Sequence, residues 1–230
     1  MAGGAPWPPY HRRVTEPAAS NGKAGASARR EGARRKAKRE AAVRERHPRI
    51  GGIMLALQDA PQHERSWARG AGGEELVEEA LRKHAPDVAV LHDRRIPGSR
   101  ANIDHIAIAA TGVWVIDSKR YKGKLQVAKP LFGKQKLTIA GRDKTKLVDG
   151  LAKQVELVTA AVADAGLDVA VHGCMCFVDA ELPLFGTPRI DGFKILGRRG
   201  LAKQLNASGE LTTDGAAMIA GAIARHFPVA

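Results

Sequence analysis

Asp104, Asp117 and Lys119 are the residues whose types and spacing point most directly to chemistry. Aspartate is a poor strand former. Both aspartates nevertheless belong to two apolar, β-branched runs, residues 103–109 and 113–118, whose junction at Ala110, Thr111 and Gly112 predicts a β-hairpin. A turn between Ala110 and Thr111 sets Asp104 opposite Asp117, whereas a turn at Thr111 and Gly112 sets it opposite Lys119. Either register puts all three side chains on one face, within about 4.5–8 Å of one another. A three-residue loop would send Asp104 to the other face. Close carboxylates repel when both are ionised, and a divalent cation removes that repulsion. An oxygen-rich set without Cys or paired His favours Mg2+ or Mn2+ over zinc. The 24 acidic residues include one followed two positions later by lysine, and that one is Asp117 at the strand end. A structural ion pair on an exposed sheet end is the competing reading.

The elements that must position these groups are also legible. Residues 62–84 predict a helix interrupted or started near Gly70, Gly72 and Gly73, with Leu76, Val77, Ala80 and Leu81 on one side and Pro86 ending it. Residues 88–91 predict a short strand, followed by a basic loop carrying Arg94, Arg95 and Arg100. Residues 141–149 read as a polar connection to a helix over 151–165 that Gly166 terminates. Residues 169–178 are the most hydrophobic strand candidate and suit the centre of a sheet. A strand over 190–196 and helices over 199–206 and 213–226 follow, the last capped by Thr212 or Thr213. This alternation predicts an α/β fold of the mixed α+β kind, with a central mixed sheet flanked by helices. His105 and Trp114 fall on the face opposite Asp104, as packing residues or, for His105, a supporting donor.

Composition narrows the partners. The chain has 230 residues, 44% hydrophobic and 27% charged, enough for one substantial core, and its net charge of +13 favours anionic partners. Residues 1–50 hold 13 Lys or Arg against 4 Asp or Glu, while residues 51–230 hold 24 against 20, so most of the excess lies at the amino-terminal end. That end, poor in large aliphatics, predicts a basic, disordered tail over residues 1–48, although residues 28–46 suit a helix by propensity and could form one along a polyanion. Residues 49–230 are expected to form the folded domain. Cys174 and Cys176, two apart on one strand, are poorly placed for a bridge and lack companion zinc ligands. No apolar stretch approaches the roughly 20 residues of a spanning helix, and the amino terminus lacks a secretory pattern, so a cytoplasmic protein without membrane contact is expected. No phosphate loop, zinc-protease helix or nucleophile elbow occurs.

The order Gly70-x-x-Gly73-Glu74, Asn102-Ile103-Asp104-His105, Gly112-Val113-Trp114-Val115-Ile116-Asp117-Ser118-Lys119, Gly123 and Gln154 resembles the nuclease-related domain (NERD) family, over residues 66–175. That family is a branch of the PD-(D/E)XK nuclease-like superfamily, so the resemblance implies a restriction-endonuclease-like fold. Glu74 matches the acid of the first helix, Asp104 the central aspartate, Asp117 and Lys119 the (D/E)XK element, and Gln154 the polar residue of a later helix. Asp117 stands where glutamate is common in the family, which shortens that ligand by one methylene.

The implied activity is Mg2+-dependent hydrolysis of phosphodiester bonds in DNA. Asp104, Asp117, the Ser118 carbonyl and Glu74 would hold Mg2+ or Mn2+, and Lys119 would orient the water or stabilise charge on the phosphate. Gln154 would fix a neighbour or contact the nucleic-acid backbone, and Arg94, Arg95 and Arg100 would grip flanking phosphates. A non-catalytic nucleic-acid-binding module that keeps the nuclease fold is the alternative. A protein-interaction domain with structural carboxylates is a third reading.

Overall fold

The computed structural model describes residues 20–46, 62–99, 101–130 and 133–230, with residues 62–69 described by their backbone only. Among them are helices α1 (Ala26–Arg46), α2 (Gln62–His84), α3 (Lys146–Asp164), α4 (Arg198–Leu205) and α5 (Thr213–His226). The strands are β1 (Ala89–Arg95), β2 (Asn102–Ala109), β3 (Gly112–Lys119), β4 (Gly123–Ala128), β5 (Lys136–Ile139), β6 (Arg142–Asp143), β7 (Val171–Phe177), β8 (Ala180–Glu181), β9 (Arg189–Ile190) and β10 (Phe193–Gly197). A six-stranded sheet runs in the order β1-β2-β3-β7-β10-β9, and a smaller sheet in the order β6-β5-β4-β8. The main sheet is mixed: β1, β2 and β3 are antiparallel neighbours, whereas β7 runs parallel to both β3 and β10. The fold is therefore mixed α+β with a mixed sheet, as the alternation of apolar runs predicts.

Alternation along each strand separates two apolar layers. Ile106, Ile108, Val113 and Val115 pack with Leu151 and Val158 of α3 and Ile219 and Ile223 of α5. On the opposite face, Ala107, Trp114, Ile116, Cys174 and Cys176 pack with Val77 and Leu81 of α2 and Leu201 and Leu205 of α4. Each fully buried aliphatic side chain contributes about 1.5–3 kcal/mol, so these two layers fix which face of the hairpin points where. The strand β7, buried over Cys174–Phe177, occupies the interior of the sheet as its hydrophobicity requires. Cys174 and Cys176 are unbridged and buried on one face.

Three features differ from the sequence expectation. The helix over residues 62–84 passes through its glycines without a break. The sheet β4-β5-β6 lies in a stretch whose short, polar strands carry little periodicity, and α3 begins at Lys146, inside the expected polar connection. The third feature is α1. Of the stretch predicted to be disordered, residues 20–46 are described and Ala26–Arg46 of them form a 21-residue helix packed on α2, while residues 1–19 and 47–48 lie outside the described residues. The helix that propensity allows over residues 28–46 is present, and its amino-terminal turn finds acidic partners in the folded body, described below. Among the described residues, no helix is long and apolar enough to cross a membrane.

Candidate active site

The hairpin closes with Ala109 paired to Gly112 and His105 paired to Ile116, the register with Ala110 and Thr111 in the turn. Carried one residue further, that register sets Asp104 opposite Asp117. Gly112 is required at the turn exit: its φ is +119°, and a Cβ there would lie 2.5 Å from the Ala170 carbonyl oxygen. The β1–β2 register likewise places Asp93 beside Asp104, although Asp93 itself adopts a left-handed conformation with φ +50°. Aspartates from three successive strands thus stand at one level of the sheet.

Hydrogen bonds define the cluster. The Ser118 N–H donates to Asp104 Oδ2 at 2.7 Å, and Lys119 Nζ donates to Asp117 Oδ1 at 2.6 Å and to the Ser118 carbonyl at 3.2 Å. Glu74 arrives from α2, and together with Asp104, Ser118, Lys119, Arg120 and Tyr121 it lines a recess of about 260 Å³. Gly73 permits that approach, since a Cβ there would lie 3.0 Å from Arg120 Cβ. Beneath the sheet, His105 Nε2 and Ser118 Oγ share a hydrogen bond of 2.9 Å, and His105 Nδ1 meets His92 Nδ1 at 2.8 Å. His105 therefore supports Ser118 from the face opposite the carboxylates, as alternation predicts.

Negative charge exceeds positive charge here, and the carboxyl groups respond. Burial, reinforced by the charges of Asp104 and Asp93, pushes the Glu74 carboxyl up to about 8. Burial pushes Asp104 up to about 7, where the attraction of Lys119 offsets part of the effect and Asp117 adds to it. Burial alone would lower Lys119, but the charges of Asp117, Asp104 and Glu74 and the hydrogen bond to Asp117 outweigh it and raise the ammonium above its ordinary value. Lys119 thus stays protonated as a donor.

This arrangement makes stability pH-dependent. Because Glu74 and Asp104 hold protons in the folded state at pH values where the unfolded chain has lost them, stability falls as pH rises from about 4.5 to about 8. The buried pair His92 and His105, both lowered by burial, works oppositely and weakens the fold as pH drops below the ordinary histidine value of 6.5. Urea titrations at pH 6.5 and pH 9 isolate the carboxyl effect. The wild type should lose on the order of 2 kcal/mol across that interval, and Glu74→Gln should lose markedly less. Parallel curves for the two proteins would contradict the assignment.

The remaining sequence candidates separate. Arg94 is a correction: it is buried, with Nε donating to the Phe227 carbonyl at 2.7 Å, one terminal nitrogen to Ser20 O at 2.8 Å and the other to Ala224 O at 3.2 Å. Buried, with three of its five N–H groups donating to carbonyls, it is turned away from the surface where flanking phosphates would lie. Arg95 is exposed and lines a groove that reaches Glu74 and Asp104. Arg100 lies outside the described residues. Gln154 is absent from the lining of the recess; its Oε1 is buried and accepts no hydrogen bond among the described residues. Asp93 escapes a sequence reading, because an acid ending a short strand beside two arginines looks like an ordinary loop residue. It is buried, and its carboxylate accepts from the Ser27 N–H and Oγ and from Asn102 Nδ2.

The family model for the nuclease-related domain matches residues 69–178, which contain Glu74, Asp104, Asp117, Lys119 and Gln154. Residues 69–178 form a nuclease-related domain. The superfamily expected from the (D/E)XK pattern is consistent with that match, and the hairpin register and recess lie wholly within it. An uncharacterized protein of Bacillus anthracis is 41% identical over 76 residues, which cover 31% of this chain and 35% of that protein. The chain thus spans about a third of that relative. No solved structure matches. Within the nuclease-related domain the acids come from α2, β2 and β3; α1 lies outside the matched residues.

Donor chemistry decides whether a divalent cation fits. Asp104 and Asp117 are hard oxygen ligands on adjacent strands, with the Ser118 carbonyl between Asp117 and Lys119. Among the described residues, no group of three His, Cys, Asp or Glu side chains forms a ready metal cage. Mg2+ does not need one: it keeps several waters and is commonly held by one or two carboxylates plus substrate phosphate. The residues present fit that mode, and a cation would favour the ionised form of carboxyl groups that burial pushes up.

Proposed function

We propose that this protein is a Mg2+-dependent nuclease that hydrolyses phosphodiester bonds in DNA. The observation that carries this reading is the convergence of Glu74, Asp104, Ser118 and Lys119 on one recess, with Asp117 bonded to the same lysine. Asp104, Asp117 and the Ser118 carbonyl would hold Mg2+ or Mn2+, with Glu74 reaching the same recess as Asp104, and the metal when bound would polarise the scissile phosphate and acidify a water. Lys119, kept protonated by its acidic neighbours, donates hydrogen bonds to the attacking water or to a non-bridging phosphate oxygen as charge builds there. The Ser118 N–H fixes one oxygen of Asp104, leaving its partner oxygen for ligation. His105 holds the Ser118 side chain from below, which keeps the ligand-bearing strand end in place.

Incubation of the purified protein with supercoiled plasmid, linear duplex and single-stranded DNA tests the reading, which requires cleavage of at least one of them. Cleavage is expected with Mg2+ or Mn2+ and none with EDTA. Retained DNA binding with no cleavage under any metal would replace the nuclease reading with that of a binding module on the same fold.

A further inference from the structure

The recess over Asp104 opens in two directions, and both openings are lined by cations. On one side Arg120 and Tyr121 are shared with a cavity of about 770 Å³ whose wall adds Lys122, Arg142 and Lys144 from the small sheet and its exit. Lys144 lies over the Tyr121 ring, 5.1 Å from its centroid, and Arg120 is bonded to Asp179 at 2.9 Å. On the other side Glu74 and Asp104 are shared with a groove of about 700 Å³ whose wall is α1, through Arg30, Arg34 and Arg35, with Arg95 opposite. The helix is fixed there by its first turn. The N–H groups of Ala24, Gly25 and Ser27 donate to Glu78, Glu74 and Asp93 at 3.1, 2.8 and 2.6 Å, and Gly25 sits so close to Ala71 that a Cβ would lie 2.9 Å from its Cα.

We propose that α1 and the small sheet are the two banks of one path that carries a single polynucleotide strand across the carboxylates. The inference rests on the nuclease reading and names its substrate class as single-stranded. Three observations carry it. First, cations stand on both sides of an acidic centre, so phosphates upstream and downstream of the scissile one have partners. Arg34 and Arg35 both pair with Glu31, and the α1 wall of the groove carries three arginines to that one glutamate. Second, Tyr121 stands at the lip of the recess with Lys144 over its ring, so an aromatic side chain and a phosphate-binding cation lie together on that bank, the combination that suits single strands. Third, the recess of about 260 Å³ is small, below the usual range for enclosed small-ligand sites. With α1 hydrogen-bonded directly to Glu74, the recess is walled on both sides at the carboxylates, which favours one strand lying across it over a duplex.

Binding of the full chain to labelled oligonucleotides in EDTA, followed by fluorescence anisotropy between about 50 and 200 mM salt, tests the path without requiring cleavage. Single-stranded DNA and single-stranded RNA of equal length distinguish the two sources of strand, and a blunt duplex is the competitor. Single strands should bind about tenfold more tightly than the duplex. Charge reversal on either bank, R30E/R34E or K122E/R142E, should weaken single-strand binding about tenfold and flatten its salt dependence, while K153E on α3 should change neither. Duplex binding as tight as single-strand binding would overturn the proposal, as would an equal loss in K153E. Strand binding through both banks without hydrolysis would uphold the path and refute the nuclease; hydrolysis of intact duplex that is insensitive to both bank variants would do the reverse.

Discussion

Replacing Asp104 by Asn is expected to abolish metal-dependent cleavage, a loss of at least about 10³-fold, while leaving the protein as stable as the wild type or more so. The two effects share one cause. Asp104 is pushed up by burial and by the neighbouring Asp117 charge, more than Lys119 and the Ser118 N–H offset, so its ionised form is held at a cost that a bound cation would recover. An asparagine keeps an oxygen for the Ser118 N–H and removes the charge. Above about pH 7 the variant should therefore unfold at higher urea than the wild type without Mg2+, and should gain little when Mg2+ is added, whereas the wild type should gain. Lys119→Met should lose activity to a similar degree with the opposite stability change, because it strips the acids of the cation bonded to Asp117 at 2.6 Å. Gel assays and urea titrations of the three proteins decide the matter. Equal cleavage by wild type and both variants would identify a contaminating nuclease.

Arg94→Ala is expected to be the most destabilising single substitution among the basic residues, by about 3 kcal/mol. Its guanidinium joins three carbonyls: Ala224 and Phe227 at the end of α5, and Ser20 ahead of α1. The same region ties the carboxyl-terminal residues to β1, since Arg95 N–H donates to Pro228 O and Ala230 N–H to Asp93 O. Truncation leaves those carbonyls without their donor and opens a cavity where a large side chain was buried. Arg94→Lys should recover little, because one ammonium cannot reproduce a planar fork spanning three acceptors. Arg95→Ala, at an exposed neighbour, should leave the urea midpoint nearly unchanged and weaken nucleic-acid binding instead. A midpoint for Arg94→Ala within about 0.5 kcal/mol of wild type would contradict this account.

The contrast between Arg94 and Arg95 shows where sequence reasoning ends. Adjacent residues of one type, in a stretch that reads as a basic loop, belong to a strand that continues to Arg95 and turns one guanidinium into the fold and the other out of it. Nothing local distinguishes them. The same holds along α2, where Glu74 faces the recess, Glu75 pairs with Arg29 and Glu78 accepts the Ala24 N–H. Choosing among those glutamates from sequence required a family pattern, since all three suit a solvated helix face. The β4-β5-β6 sheet escaped because strands of two to six residues, largely polar, have little period to detect.

The sequence by itself determined what depends on near neighbours. The two-residue turn after Ala109 and the strict alternation of β2 and β3 put Asp104, Asp117 and Lys119 on one face, and the hydrophobicity of β7 placed it inside the sheet. The apolar period is a property of a few consecutive residues, and both two-residue turns that it allows keep the three on that face; the structure selected between them. Only the tertiary structure decided what stands across from that face: Asp93 beside Asp104, Arg94 under α5, and above all α1. In sequence, α1 is a run of nine Lys or Arg and three Glu with no apolar stripe, and none of its residues is buried. Its position comes from backbone N–H groups at its start meeting three carboxylates, Glu74 and Glu78 on α2 and Asp93 on β1. Such contacts are set by chain reversal over long separations, to which local spacing is blind.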